Sequence, residues 1–116
     1  MTSAASAKGA KGEREVIAIF DAAGFGQAQR GRAGAEHDRG DVAGVPNLTI
    51  EVKNRKDVTT SISLGLRELA VEKVNNKTKW GIVAVKRPRL GWVAVMPLEE
   101  FAALWAKTQG VELDDS

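Results

Sequence analysis

Two β-prone runs, residues 41–44 and Leu48–Lys53, flank the tripeptide Val45-Pro46-Asn47, and no other stretch constrains the fold as much. Proline and asparagine suit a tight turn, while the valines, isoleucine and threonine around them suit strands. If Val45-Pro46-Asn47 forms a three-residue loop, Gly44 pairs with Leu48 and Asp41 lies across from Glu51. Opposed residues of paired strands share a face, with Cβ atoms roughly 4.5–5.5 Å apart. Side chains alternate along a strand, so Lys53 joins Asp41 and Glu51, while Val42, Ile50 and Val52 point the other way into a core. Two carboxylates and one ammonium therefore converge at one end of a short ribbon.

The rest of the chain supplies the elements such a ribbon needs. Residues 1–10 are small and polar and read as a disordered tail, residues 11–109 as one domain, and residues 110–116 as an acidic tail. A helix is expected at about residues 12–23, with Val16, Ile17, Phe20 and Ala23 as its apolar stripe and Gly24 at its end. A short strand over 25–30 and a mobile glycine-rich loop over 31–40 (GRAGAEHDRG) lead to the ribbon. A second helix over about 61–75 carries Ile62, Leu66, Leu69 and Ala70 on one face. Lys73 also falls on that stripe, whereas Glu68 faces away from it and receives no role. Residues 80–86 and 92–96 read as strands joined by a basic turn. Pro97 opens a last helix to about Lys107, with Phe101, Leu104 and Trp105 facing inward. The order α-β-β-β-α-β-β-α predicts an α/β fold, a mixed sheet flanked by helices.

Composition removes several classes of chemistry. The 116 residues contain no cysteine, which excludes disulfides, thiolate metal sites and a cysteine nucleophile. A single histidine, His37, excludes any centre needing two. No apolar run approaches the roughly 20 residues that span a bilayer, and the N-terminus lacks the apolar core of a secretory signal. An intracellular, cytoplasmic protein is expected. The net charge of +2 conceals an asymmetry: residues 1–98 hold sixteen basic against ten acidic side chains, a net of +6. A basic body suggests a polyanionic partner, nucleic acid first.

Oxygen ligands spaced like Asp41 and Glu51 suit a hard cation such as Mg²⁺, with Mn²⁺ as a substitute. Such an ion neutralises charge on a phosphodiester and helps deprotonate a water, while Lys53 is placed to orient that water or stabilise the transition state. Glu13 heads the apolar stripe of the first helix and so points inward as a further catalytic acid, whereas Glu15, about 200° round the helix, faces water. The plain alternative is a cross-strand ion cluster of Asp41, Glu51 and Lys53, with Glu13 an ordinary acid of a helix N-terminus. Arg30, Arg32 and Arg39 flank the site with guanidinium forks that fit phosphate. Arg55 and Lys56 follow Lys53 and face either DNA or solvent. His37 and Asp38 sit in the glycine-rich loop, and Lys86, Arg87 and Arg89 near a hairpin tip that either grips a second duplex arm or keeps a sheet edge soluble. Trp80, Trp92 and Trp105 read as anchors of a core or dimer interface.

The segments KGEREVIAIFDAAGF (11–25), GDVAGV (40–45), IEVK (50–53), VAVK (83–86) and Gly91-Trp92 together resemble the archaeal-type Holliday junction resolvases. These are restriction-endonuclease-like nucleases of the PD-(D/E)xK superfamily, with small phage-encoded relatives, and the resemblance spans about residues 11–97. It implies a restriction-endonuclease-like core and a Mg²⁺-dependent endonuclease acting on branched DNA as a homodimer, with Asp41, Glu51 and Lys53 at its centre. It also implies that Glu13 is the family's helix glutamate, that Arg14 lies near the DNA phosphates, and that the main-chain carbonyl of Val52 joins Asp41 and Glu51 around the metal. Gly40 stands where the superfamily has its proline, and the gap from Asp41 to Glu51 is shorter than in the archaeal enzymes. A nicking or restriction-like nuclease on duplex, flap or single-stranded DNA is the nearest alternative, and a non-catalytic DNA-binding protein of the same fold the next.

Overall fold

Period-two alternation in residues 48–53 requires a strand with two different environments, and the sheet provides them. In the computed structural model, which describes residues 4–31 and 40–111, the chain runs α1 (Ala4–Ala22), β1 (Gln29–Arg30), β2 (Val42–Ala43), β3 (Leu48–Lys53), α2 (Val58–Asn76), β4 (Trp80–Arg87), β5 (Gly91–Val95) and α3 (Leu98–Thr108). This is an α/β protein with one five-stranded mixed sheet in the order β1-β2-β3-β4-β5. Strands β1 to β3 and β4 to β5 pair antiparallel, while β3 and β4 are parallel and joined through α2. Val42 lies opposite Ile50, the register expected from the three-residue turn.

Each face of the sheet carries its own apolar layer. Val42, Ile50, Val52 and Ala84 pack with Val16, Ile17 and Phe20 of α1, as the alternation predicts for the apolar side of the ribbon. On the other face Val83 and Val85 pack with Ile62, Leu66 and Leu69 of α2 and with Val93 and Val95. The Asp57 carboxylate starts α2 by accepting from the Thr60 amide at 3.0 Å, and Lys77 closes it in the left-handed conformation at φ 56°. At Gly65 α2 lies close against the sheet: a Cβ there would sit 2.5 Å from a Val83 methyl.

Several boundaries differ from the sequence reading. Helix α1 begins at Ala4, not near residue 12, because the alanine-rich stretch read as a tail has high helix propensity. Only Gln29–Arg30 of the expected 25–30 strand pairs, since the chain first turns where the Phe25 amide donates to the Phe20 carbonyl. Ala70 is exposed, and the residues of α2 that are buried are Ser61, Gly65, Leu69 and Glu72. No residue of α3 is buried; Phe101 and Trp105 stack on each other and stay 45% and 57% exposed. Helices α1 and α2 already cover the two apolar layers, which leaves that face of α3 outside them. Arg32, His37, Asp38, Arg39 and most of the acidic tail lie outside the described residues. Among the described residues no helix is long and apolar enough to cross a membrane.

Replacing Gly65 by alanine improves helix propensity but forces a methyl into the Val83 side chain, and overpacking of this kind costs about 1–3 kcal/mol. The Gly65→Ala variant is therefore expected to unfold at lower urea concentration with an unchanged slope. A midpoint at or above that of the unsubstituted chain would place α2 farther from β4 than described.

Candidate active site

The side of β3 that faces α2 carries Thr49, Glu51 and Lys53, all buried. Glu51 is a carboxylate that a folding chain would ordinarily keep in water: it is 4% exposed, and its Oε2 has no hydrogen-bond partner. Burial is the main cause pushing its pKa up to about 12, followed by hydrogen-bonding contact with the carboxyl groups of Glu72 and Asp41 and by their negative charge. In this arrangement burial and the two neighbouring carboxyl groups favour the protonated form of Glu51.

Asp41 reaches that cluster from the neighbouring strand, as expected. The ladder between β2 and β3 stops at Val42, and beyond it the Asp41 side chain takes over the pairing, its Oδ2 accepting the Val52 amide at 2.8 Å. The Asp41 amide in turn donates to the Ile50 carbonyl, also at 2.8 Å. Gly40, at φ 104°, makes the bend that delivers Asp41, in a region of backbone space closed to most side chains. A glycine at this position is thus a local conformational need.

Lys53 is 6% exposed and donates to Glu68 Oε2 at 2.8 Å, with Glu51 Oε1 at 3.6 Å. Burial works against its charge, but the Glu68 hydrogen bond and the attraction of Glu51 and Glu68 outweigh it, so its pKa is raised. The side chain remains an ammonium, suited to stabilising negative charge and not to accepting a proton. The helical pattern turns Glu68 away from the apolar stripe, yet it is the direct partner of this lysine. Glu72, buried against Glu51, was missed altogether. The sequence does contain their signal: Ser61, Gly65, Leu69 and Glu72 recur at helical spacing, and the small residues among them mark where α2 sits closest to the strands.

The remaining expected site residues are distributed elsewhere. Glu13 does point inward, with 17% of its side chain exposed, but its Oε2 is held by Arg30 Nε at 3.1 Å, on the α1 side of the sheet. That bond occupies the Arg30 guanidinium expected to meet phosphate, which also feels the charge of Asp41. Glu15, expected in water, is half-buried and accepts from Lys86 Nζ at 2.7 Å and Trp92 Nε1 at 3.1 Å. The reason is that β4 and β5 extend under that flank of α1, and the basic and indole groups there draw the carboxylate in. Lys86 lowers its pKa first, with Trp92 and the charge of Lys11 contributing, against a smaller opposing effect of burial. Arg14, Arg55 and Lys56 are exposed.

Carboxylate oxygens of Glu51, Glu68 and Glu72 lie within 4.8 Å of one another. With the unpartnered Oε2 of Glu51, this all-oxygen set matches the donor preference of a hard divalent cation. No family model, curated protein or solved structure matches the chain.

A carboxyl whose folded pKa lies above its ordinary 4.5 contributes stability only while both states are protonated. As pH rises above that value the unfolded chain ionises and Glu51 does not, a cost of about 1.4 kcal/mol per pH unit. Glu51→Gln is therefore expected to raise the melting temperature of the metal-free protein at neutral pH, the gain shrinking as pH is lowered toward 4.5. A melting temperature below that of the unsubstituted chain across this range would remove the buried proton from the description.

Proposed function

We propose that this protein is a metal-dependent endonuclease with a restriction-endonuclease-like core, hydrolysing phosphodiester bonds in branched DNA inside the cell. The observation that carries the reading is the meeting of Asp41, Glu51 and Lys53 at one end of β3, with Glu51 buried and one oxygen unpartnered. Ionisable groups buried together in this way destabilise the fold, and such arrangements concentrate at functional sites. The sheet order, with β3 and β4 parallel and α2 between them in sequence, supports the core assignment.

Mg²⁺, or Mn²⁺ in its place, would supply charge neutralisation at the scissile phosphate and lower the pKa of the attacking water. Glu51 and Asp41 present the oxygens that would hold it, together with the main-chain carbonyl of Val52, the next residue of β3, and Glu72 is in contact with Glu51. Lys53, fixed by Glu68, keeps a positive charge beside the place where negative charge accumulates as the phosphorus–oxygen bond breaks. Glu13 and Arg30 form a pair beside Asp41 that shapes the approach to the site from the α1 side. The sequence resemblance supports the four-way junction as substrate. Such a junction has two-fold symmetry and two strands to cut, which calls for two active sites and hence a homodimer.

The test is cleavage of a synthetic four-way junction. Paired nicks are expected with Mg²⁺ and none with a chelator present, and both Asp41→Asn and Lys53→Ala are expected to abolish them. Glu68→Gln leaves Asp41 and Glu51 in place but removes the anionic partner of Lys53 and one carboxylate of the Glu51–Glu68–Glu72 set. It is expected to slow cleavage by about 10–100-fold, the usual effect of losing a group that orients a functional side chain. Cleavage that survives both Asp41→Asn and Lys53→Ala would refute the assignment of this site. Equal cutting of linear duplex would leave the chemistry and overturn the substrate.

A further inference from the structure

A second feature lies at the same end of the sheet and outside the carboxylate cluster. Lys8 and Lys11 of α1, Arg55 and Lys56 after β3, and Lys86 near the end of β4 surround an open cleft of about 430 Å³. Asn54 and Pro88 complete its lining, so no acidic and no aromatic side chain contributes to the wall. The walls are joined, because the Asn54 side-chain amide donates to the Lys8 carbonyl at 3.0 Å. Lys86 is fixed by Glu15 and lies 5.8 Å from the centre of the Trp92 ring, so its ammonium is held in place beside the cleft. One neighbouring carboxylate, Glu15, stands against five cations.

We propose that this cleft binds the sugar–phosphate backbone of a nucleic acid strand, extending from the phosphate positioned at Glu51 and Lys53. The inference rests on the nuclease reading for its direction but on the cleft itself for its chemistry. Closely set cations that outnumber the one carboxylate beside them select a repeating anion. With no aromatic wall there is nothing on which a base can stack, so the cleft takes backbone and not bases. Contacts of that kind position a strand and carry no sequence information. The location fits: β3 and β4 run parallel with Lys53 opposite Val85, so Arg55, Lys56 and Lys86 emerge at the strand ends just beyond the site. Lys8 and Lys11, in a segment that sequence alone assigns to or beside a tail, become part of a binding wall because α1 begins at Ala4.

The experiment measures binding by fluorescence anisotropy of a labelled four-way junction and a linear duplex, without divalent ions so that nothing is cut, over a range of salt concentrations. The Lys11→Gln/Lys56→Gln double variant removes two exposed cations from the cleft. It is expected to bind about tenfold or more weakly at physiological salt, with the slope of log affinity against log salt reduced by about 0.9 per lost phosphate contact, whatever the sequence. Lys11→Arg/Lys56→Arg is expected to restore both quantities, and Lys107→Gln on α3 to leave both unchanged. An unaltered slope in the double variant, an equal loss from Lys107→Gln, or displacement of the DNA by polyglutamate at equal charge would each overturn the proposal. Cleft-dependent binding by a chain that cuts no substrate would sink the nuclease reading and leave the cleft. Junction cutting with binding indifferent to Lys11 and Lys56 would do the reverse.

Discussion

A carboxyl group taken out of water must be neutralised, paired or protonated, and Glu51 sits where all three constraints meet. Its strand is central, its neighbours in the sheet are Asp41 on one side and Val83 on the other, and α2 closes over it with Glu72. Lys53 offsets part of the charge and is itself tied to Glu68. Removing any one partner changes what the others can tolerate, because unpaired charge in a low-dielectric interior is far more costly than paired charge. The helix, the strand and the bend at Gly40 are thereby bound into one electrostatic unit.

This coupling explains why part of the site could be read from sequence and part could not. Residues near one another along a ribbon obey a period of two, so the register of Val42 with Ile50, the core side of Val52 and the approach of Asp41 to Glu51 follow from Val45-Pro46-Asn47 alone. What crosses from β3 to α2 depends on which face of the helix meets the sheet, and that is decided by tertiary packing. An apolar stripe of Ile62, Leu66 and Leu69 indicates the wrong centre for this face, since it is the small side chains of Ser61 and Gly65 that allow close approach. Glu68 and Glu72 ride along with them. Glu15 differs from expectation for a related reason: helical angle gives direction around an axis but says nothing about how far β4 and β5 extend beneath it.

Charge is organised by layer as well as by sign. Acidic groups occupy the interior between β3 and α2, whereas cations line the rim where β3, β4 and α1 come together. The alternation of β3 separates its apolar residues from the acids, and the chain leaving the strand passes at once from Lys53 to Arg55 and Lys56. A polyanion arriving at this end meets favourable potential first and the buried carboxylates only afterwards.

Neither apolar layer includes a side chain from α3. Its fixed attachment to the body includes the Lys73–Glu100 ion pair, while Leu98, Phe101 and Trp105 face outward. The final helix is thus an addition to a sheet whose two hydrophobic layers are complete without it. Sequence change along its outer surface is free of the packing demands that govern the other two helices, so this segment can diversify while the architecture beneath it stays the same.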